Sequence, residues 1–524
     1  MNKPAVVPAG FAGCMIILAA ICLASVTAPA STFDTIGLTL LRNVTLGLDG
    51  TDIPVAQVEA NTPAWQVNPA ANGVALAMTP FTYYASNATT IVFPNPIGAE
   101  SVHGDHVAAV FYGLPGGVLT NVPQVDNYEA GYFFFTVVPW LVPVSDPVVN
   151  QSFNVTGITA MQQQIYDTYY DNYAAQAGTL FVSAVGNGGP VNPPSTCYNG
   201  IAVGAYNGAT STGPTPDNAR AKPDISAPAD ATSFSTPLVS GAAALLIQAG
   251  TRGDGGSDLN AATDIRTIKA LLLNGAVKPA DWSAPSPSPL DPVYGAGVLN
   301  IFNSYKQLTG GKRGFTVSTT VPLGAAHPPA AATGTVSVLS GWDFNNTTST
   351  ATNDGINHYY FNLTNAAGQG AFTGTMTLAW NRQPGKSYPN NLDLFLYNTT
   401  SGALVGVSTS RVDNVEHIYI SQLPQGRYDL QVLKHGGLSV SATETYALAF
   451  EYFALPLTIT PSGNNTATLT WPIYPAGFIL ESTPNLVTPI SWSPVNTTPI
   501  IINNQNTVVI DTTPANRFYR VRRP

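Results

Sequence analysis

The feature that most constrains this chain is a change of hydrophobic period along its length. From about residue 45 to 305, short β-branched runs alternate with longer helical patterns, at 53–59, 103–112, 146–153, 160–177, 179–184, 201–205 and 236–248. Strand–helix alternation of this kind predicts an α/β fold, a parallel sheet with helices on both faces. After about 309 the helical period ends. The stretch 309–337, with Gly-Gly-Lys-Arg-Gly and Ala-His-Pro-Pro-Ala-Ala-Ala, reads as a linker. Beyond it, 338–455 alternates in period two with turn residues after each run, as in Asn391-Leu-Asp-Leu-Phe-Leu-Tyr397, which predicts a β-sandwich. A second small β domain is expected over 456–524. These self-contained patterns predict separate cores, with the β-rich region dispensable for chemistry.

Composition narrows the function classes. Only 9% of the 524 residues are charged and the net charge is −9, without any basic run, so nothing in the sequence resembles a phosphate-tracking surface and no nucleic-acid partner is expected. The 47 glycines and 43 prolines fall short of a low-complexity composition and indicate turn-rich folded domains.

Residues 1–30 carry one charge, Lys3, then an apolar stretch from Phe11 to Val26 and the small-x-small ending Ala28-Pro29-Ala30. This is the pattern of a secretory signal peptide cleaved after Ala30, so the mature chain is expected to be secreted or extracytoplasmic, with no stable membrane span. Cleavage also removes Cys14 and Cys22, leaving Cys197 with no internal disulfide partner.

The chemistry-bearing residues lie in the first region. In Ala231-Thr-Ser-Phe-Ser-Thr-Pro-Leu-Val-Ser-Gly241 a loop delivers Ser233 to the first turn of a long apolar helix. There the free backbone N–H groups and the positive helix end stabilise developing negative charge. The alternative is that Thr232 or Ser233 simply caps the helix. Upstream, Ser101-Val-His-Gly-Asp-His-Val-Ala108 puts His103 and His106 at a helix start. A metal reading of that pair lacks both the His-x-x-x-His spacing and a following carboxylate motif. Between them, Gly178-Thr-Leu-Phe-Val-Ser-Ala-Val-Gly-Asn-Gly-Gly189 ends in Asn-Gly-Gly, by itself a tight-turn signal.

Together these stretches resemble the subtilisin-like serine peptidases. That family's nucleophile motif, Gly-Thr-Ser-x-Ala-Thr-Pro-x-Val-x-Gly, follows Lys-Pro-Asp-x-x-Ala-Pro, and here Lys222-Pro-Asp-Ile-Ser-Ala-Pro228 precedes the Ser233 stretch. The resemblance implies that Ser233 is the nucleophile, with Ala231 replacing the motif's first Gly and Ser235 its Ala. It makes His103 the general base with His106 as its structural partner, Asn187 the side-chain oxyanion donor, and 146–153 a substrate-edge strand. It covers about 45–305, giving a peptidase domain over 31–308. The family's acid stands at the end of the first strand, where the frame here puts Glu59; Asp49 and Asp52 precede the strand by several residues. The family's amino-terminal chaperone segment is not expected before that strand.

Downstream, Asn391–Tyr397 with Asn414-Val-Glu-His417 and Pro424-Gln-Gly-Arg-Tyr-Asp-Leu-Gln-Val432 resembles the bacterial pre-peptidase C-terminal β-sandwich. Asp393 and Asp429 are candidate oxygen ligands of a structural calcium ion, although acidic residues on the solvent side of strands are the commoner explanation. Trp471 and Trp492 are read as core of the last unit, with carbohydrate binding as the alternative. The expected function is a secreted serine endopeptidase acting on protein or peptide substrates through Ser233, His103, Glu59 and Asn187, with no cofactor required. The alternative is a non-catalytic binding or adhesive protein on the same scaffold, motivated by Glu59 and Ala231.

Overall fold

The computed structural model describes residues 31–76, 79–85, 91–95, 99–364, 371–437, 440–454, 456–463, 465–503, 505–513 and 517–522. The expected signal peptide, with Cys14 and Cys22, lies outside them. Two short helices, α1 (Thr32–Thr35) and α2 (Leu38–Val44), lead into an eight-stranded sheet. Its strands are β1 (Val55–Glu59), β2 (Phe81–Tyr84), β3 (Ile91–Val92), β4 (Val125–Glu129), β5 (Val148–Gln151), β6 (Leu180–Ala184), β7 (Ile201–Tyr206) and β8 (Ile225–Pro228). They lie in the order β3-β2-β4-β1-β5-β6-β7-β8, parallel throughout except for the edge pair β2/β3. The central strands β1, β5 and β6 are buried at every position, as parallel strands covered on both faces must be. This is the expected α/β architecture.

The helices α3 (Val102–Phe111), α4 (Ala130–Tyr132), α5 (Ala160–Ala177), α6 (Thr232–Thr251), α7 (Leu259–Thr263), α8 (Ile265–Gly275) and α9 (Ile301–Thr309) complete the domain. Local sequence sets their ends. Thr159 and Gln162 form a capping box before α5, and Gly178 closes it in the left-handed region. From Ser235 to Gly250 every residue of α6 is buried, so this helix is the centre of the core rather than an amphipathic cover. Because the strands run parallel, the C-terminal ends of β1, β5 and β6 open on one side of the sheet, the side on which ligands bind in such folds.

The second region is a nine-stranded sandwich. One sheet has the order β10 (Ser340–Thr348), β17 (Thr443–Phe453), β12 (Phe372–Trp380), β15 (Val415–Leu423); the other runs β14 (Leu404–Ser408), β13 (Leu392–Asn398), β16 (Gly426–Lys434), β11 (Asn353–Leu363), β9 (Val317–Pro322). The expected linker is therefore in part sandwich, since β9 pairs antiparallel with β11 from Val317 to Pro322. Half-buried Val317, Thr319 and Val321 alternate with exposed Ser318, Thr320 and Pro322, the pattern of an edge strand, hidden in the sequence by the Gly- and Pro-rich residues around it.

The expectation of wholly separate cores also gives way. The sandwich has an apolar interior of its own, including Tyr359, Phe361, Leu394 and Phe450. Its outer sheet face, however, lies on α8 and α9, and Trp342, Ala379, Val415, Ala447 and Ala449 join the core of the α/β domain. Polar contacts across the junction are buried and specific. Asn199 exchanges two hydrogen bonds with the backbone of Arg382 (2.8 and 3.0 Å), Asn274 Oδ1 accepts from Thr375 and Thr377 (3.0 Å each), and Arg382 pairs with Asp171 at 2.7 Å.

A last β unit, β18 (Thr458–Gly463) to β24 (Phe518–Arg522), forms two small sheets around Leu469, Trp471, Leu480 and Val508. Trp471 is core, whereas the Trp492 ring lies 4.3 Å from the guanidinium of Arg520. Among the described residues no helix is long and apolar enough to cross a membrane, and Cys197 is free and buried.

Candidate active site

Glu59 is the last residue of β1 and its side chain is only 1% exposed. Its Oε2 lies 2.8 Å from His103 Nδ1. His103 is the second residue of α3, which begins after Ser101 caps it through a 3.0 Å bond to the Gly104 N–H. The imidazole is partly exposed, and the hydrogen bond and charge of Glu59 raise its pKa above the ordinary 6.5 despite burial. The longer Glu side chain thus reaches the ring.

Other carboxylates are occupied elsewhere. Asp49 accepts from the N–H and hydroxyl of Thr51 in the turn before β1. Glu129, beside Glu59 in the β1–β4 register, caps the N–H groups of Gly131 and Tyr132. Asp105 accepts from the Asn68 N–H, and burial together with Glu100 pushes it up to about 7. His106 is exposed, its ring 6.2 Å from that of Phe234, and it makes no hydrogen bond to His103 among the described residues. The structural partnership expected of it is therefore not direct.

Ser233 stands in the first turn of α6, behind an N-cap, Ala231, that offers no side-chain cap. Neither Thr232 nor Ser233 caps the helix. Instead Asn187 Oδ1 accepts from the Thr232 N–H and hydroxyl, both at 2.8 Å. Because a backbone N–H can only donate, this contact fixes the amide orientation and leaves Asn187 Nδ2 as the outward donor. Nδ2 and the Ser233 N–H have no hydrogen-bond partner among the described residues, so two donors stand free at a helix N-terminus. The loop that aims Asn187 needs glycine: Gly186 and Gly188 have φ of 106° and 133°, and a Cβ on Gly186 would stand 2.8 Å from Ser211 Oγ.

Both departures from the nucleophile motif are accommodated. Ala231 is extended at φ −145°, a conformation that needs no glycine, and the Ser235 hydroxyl donates to the Ala227 carbonyl at 2.8 Å. Pro237, four residues after Ser233, cannot donate to the Ser233 carbonyl. Ser152 Oγ donates there instead, at 2.9 Å, and is itself held by Asn150 Nδ2 at 3.1 Å.

The Ser233 hydroxyl makes a long bond, 3.4 Å, to the Ser152 carbonyl and none to His103. The His103 ring is nonetheless 5.8 Å from that of Phe234, the neighbour of Ser233. Glu59 and His103 are thus in contact, the His103 ring lies against the residue that follows Ser233, and the Ser233 hydroxyl is turned to Ser152, with no bond to the imidazole, as is common before substrate binds. Ser152, Gln57 and Tyr112 belong to this region and were not singled out from sequence. Gln57 had a signal: it and Glu59 are polar residues two apart in a run that is otherwise apolar.

Asp393 and Asp429 do not share a site. Each lies within a strand, buried, and pairs at 2.8 Å with a different histidine, His435 and His358 respectively. The solvent-side reading fails as well. Among the described residues no three His, Cys, Asp or Glu side chains are grouped to hold a metal ion.

A parallel sheet with Glu59 at the end of β1 against His103, Asn187 in the loop after β6, and a carboxylate, histidine and serine in that chain order is the arrangement of the subtilisin-like serine peptidases as a class. Residues 81–302 match the model of the subtilase family, and the chain carries a subtilisin-like serine peptidase domain over that stretch. The match contains His103, Asn187 and Ser233; Glu59 precedes it. Among solved structures, the chain is similar to the prenylagaramide maturation protease PagA, at 21% identity, with 53% of this chain and 99% of that one covered and a TM-score of 0.37. It is also similar to tripeptidyl peptidase 2, at 13% identity, 76% and 48% coverage and a TM-score of 0.33.

Proposed function

We propose that this protein is an exported serine endopeptidase in which Glu59 takes the place of the acid. The observation that carries the reading is the 2.8 Å contact between Glu59 Oε2 and His103 Nδ1, together with the two free donors at the start of α6. Glu59 holds the Nδ1–H tautomer and stabilises the imidazolium as it forms. That leaves Nε2 to take the proton of Ser233 as its Oγ attacks the scissile carbonyl, and then to return it to the leaving amine. Asn187 Nδ2 and the Ser233 N–H receive the oxyanion; losing one such side-chain donor costs ~100- to 1,000-fold in turnover in subtilisin. The reaction needs no cofactor. Export is supported by the pattern of residues 1–30. The sandwich is proposed to be of the pre-peptidase C-terminal type, because two stretches carrying that resemblance fall on the neighbouring strands β13 and β16.

A fluorophosphonate tests the site without a known substrate, since it requires an activated serine and an oxyanion pocket. Covalent labelling of the full chain, lost in Ser233→Ala, is the expected result. A second reading, a non-catalytic binding protein, draws on the Ser233 hydroxyl being turned to Ser152 rather than to His103. Folded protein that never labels would decide for it.

A further inference from the structure

We propose that Gln57 is a positioning residue for the acid–histidine pair, holding one carboxylate oxygen of Glu59 so that the other faces His103, with Tyr112 setting the orientation of the Gln57 amide. The proposal deepens the reading above and rests on it. Gln57 and Glu59 are two apart on β1 and share a face, both essentially without solvent exposure. The Tyr112 hydroxyl donates to Gln57 Oε1 at 2.5 Å. Gln57 Nε2 then donates to Glu59 Oε1 at 2.8 Å and to the Gly104 carbonyl at 2.9 Å. Both amide hydrogens are used, and every partner of the side chain is buried.

Gly104 follows His103 in the chain, so a single amide ties the acid to the helical turn that carries the base. The need for such a tie comes from the acid itself. A glutamate has one more torsion than an aspartate, and a carboxylate bound at one oxygen only is free to swing away from the imidazole. The second bond removes that freedom. Tyr112 stays a donor because burial and the Glu59 charge push its phenol well above the ordinary range. The other carboxylates near the helix, Asp105 and Glu100, face each other and Asn68 rather than the ring. Val55 and Val58 show that an apolar side chain suits this buried strand, so strand packing alone does not call for a glutamine at position 57.

The experiment uses the full chain with two readouts: turnover of a small peptide ester, and the His103 titration followed by NMR, its signal assigned by loss in His103→Asn. Gln57→Met keeps the volume and removes the hydrogen bonds. It is expected to lower kcat roughly 10- to 100-fold with KM little changed, and to let the His103 pKa fall toward ~6.5 as its partner swings away. Tyr112→Phe, a change of one oxygen, should cause a smaller loss in the parent and none on top of Gln57→Met, because it acts only through Gln57. An unchanged kcat with an unchanged His103 titration in Gln57→Met would overturn the proposal. So would fully additive losses from the two variants, which mark a packing role. If the parent neither labels nor turns over, the peptidase reading fails on its own, and the His103 titration still decides whether Gln57 holds Glu59.

Discussion

Ser152 and Ser233 hold each other across the site: the Ser152 hydroxyl donates to the Ser233 carbonyl at 2.9 Å, and the Ser233 hydroxyl points back at the Ser152 carbonyl at 3.4 Å. Pro237 makes the first contact necessary, because it removes the helical donor that the Ser233 carbonyl would otherwise have. Substitution Ser152→Ala therefore leaves a carbonyl in the first turn of α6 without a partner. A loss of roughly 1–3 kcal/mol in denaturant unfolding is expected, with slower fluorophosphonate labelling. Unchanged stability would show that water replaces the hydroxyl without cost.

Glu59→Gln keeps the shape of the acid and removes its charge. The amide no longer selects the Nδ1–H tautomer, and the comparable acid-to-amide change in a serine protease costs ~10,000-fold; at least a ~100-fold loss in kcat is expected here. The pH profile moves with it. Glu59 raises the His103 pKa, and the base must be neutral, so the acid limb of kcat/KM in the parent lies above ~6.5 and shifts down in the variant. A Gln variant as fast as the parent would remove Glu59 from the site.

Asp146 supplies a pH test that reads stability rather than turnover. Burial and the neighbouring Asp126 push it up to about 8, and Asp126 is raised too. The folded chain thus keeps a proton that the unfolded chain releases near pH ~4. Stability falls as pH rises from the unfolded value toward about 8, because the native state binds the extra proton throughout that window. In Asp146→Asn the decline should flatten, so that the variant gains on the parent at pH 8 relative to pH 5 in paired unfolding curves. Parallel curves would contradict the assignment.

Truncation after Gly311 is expected to abolish cooperative folding rather than release an active domain. It would uncover the faces of α8 and α9, and leave Asp171 without Arg382 and Asn199 without its backbone partners. Breaking a buried ion pair alone costs about 3–5 kcal/mol, a large share of a typical domain's stability. A soluble truncated chain with a sharp thermal transition and full labelling would refute this.

The sheet, its helices and the order of Glu59, His103, Asn187 and Ser233 were legible in the sequence, because periodicity and motif spacing are local properties of the chain. So was the placement of a glutamate, Glu59, at the end of the first strand, where it contacts His103; that placement follows from counting along one strand. Gln57 was not singled out. Its partners are Glu59 next door, Tyr112 at the far end of α3 and a carbonyl beside His103, and nothing in residue type announces that they meet. Ser152 escaped for the same reason, being 81 residues from the carbonyl it serves.

The division at residue 309 shows what period alone determines and what it leaves open. A switch from helical to alternating pattern fixes the kind of element on each side, since the pattern records which side chains of one segment face inward. It does not record what they face. Asn274 and the threonines of β12, or Asn199 and Arg382, read as surface polar residues in their own segments and become interior only when the sandwich settles on α8. Burial of an outer sheet face is a property of two surfaces together, so only the tertiary structure decided that the sandwich is built into the peptidase core.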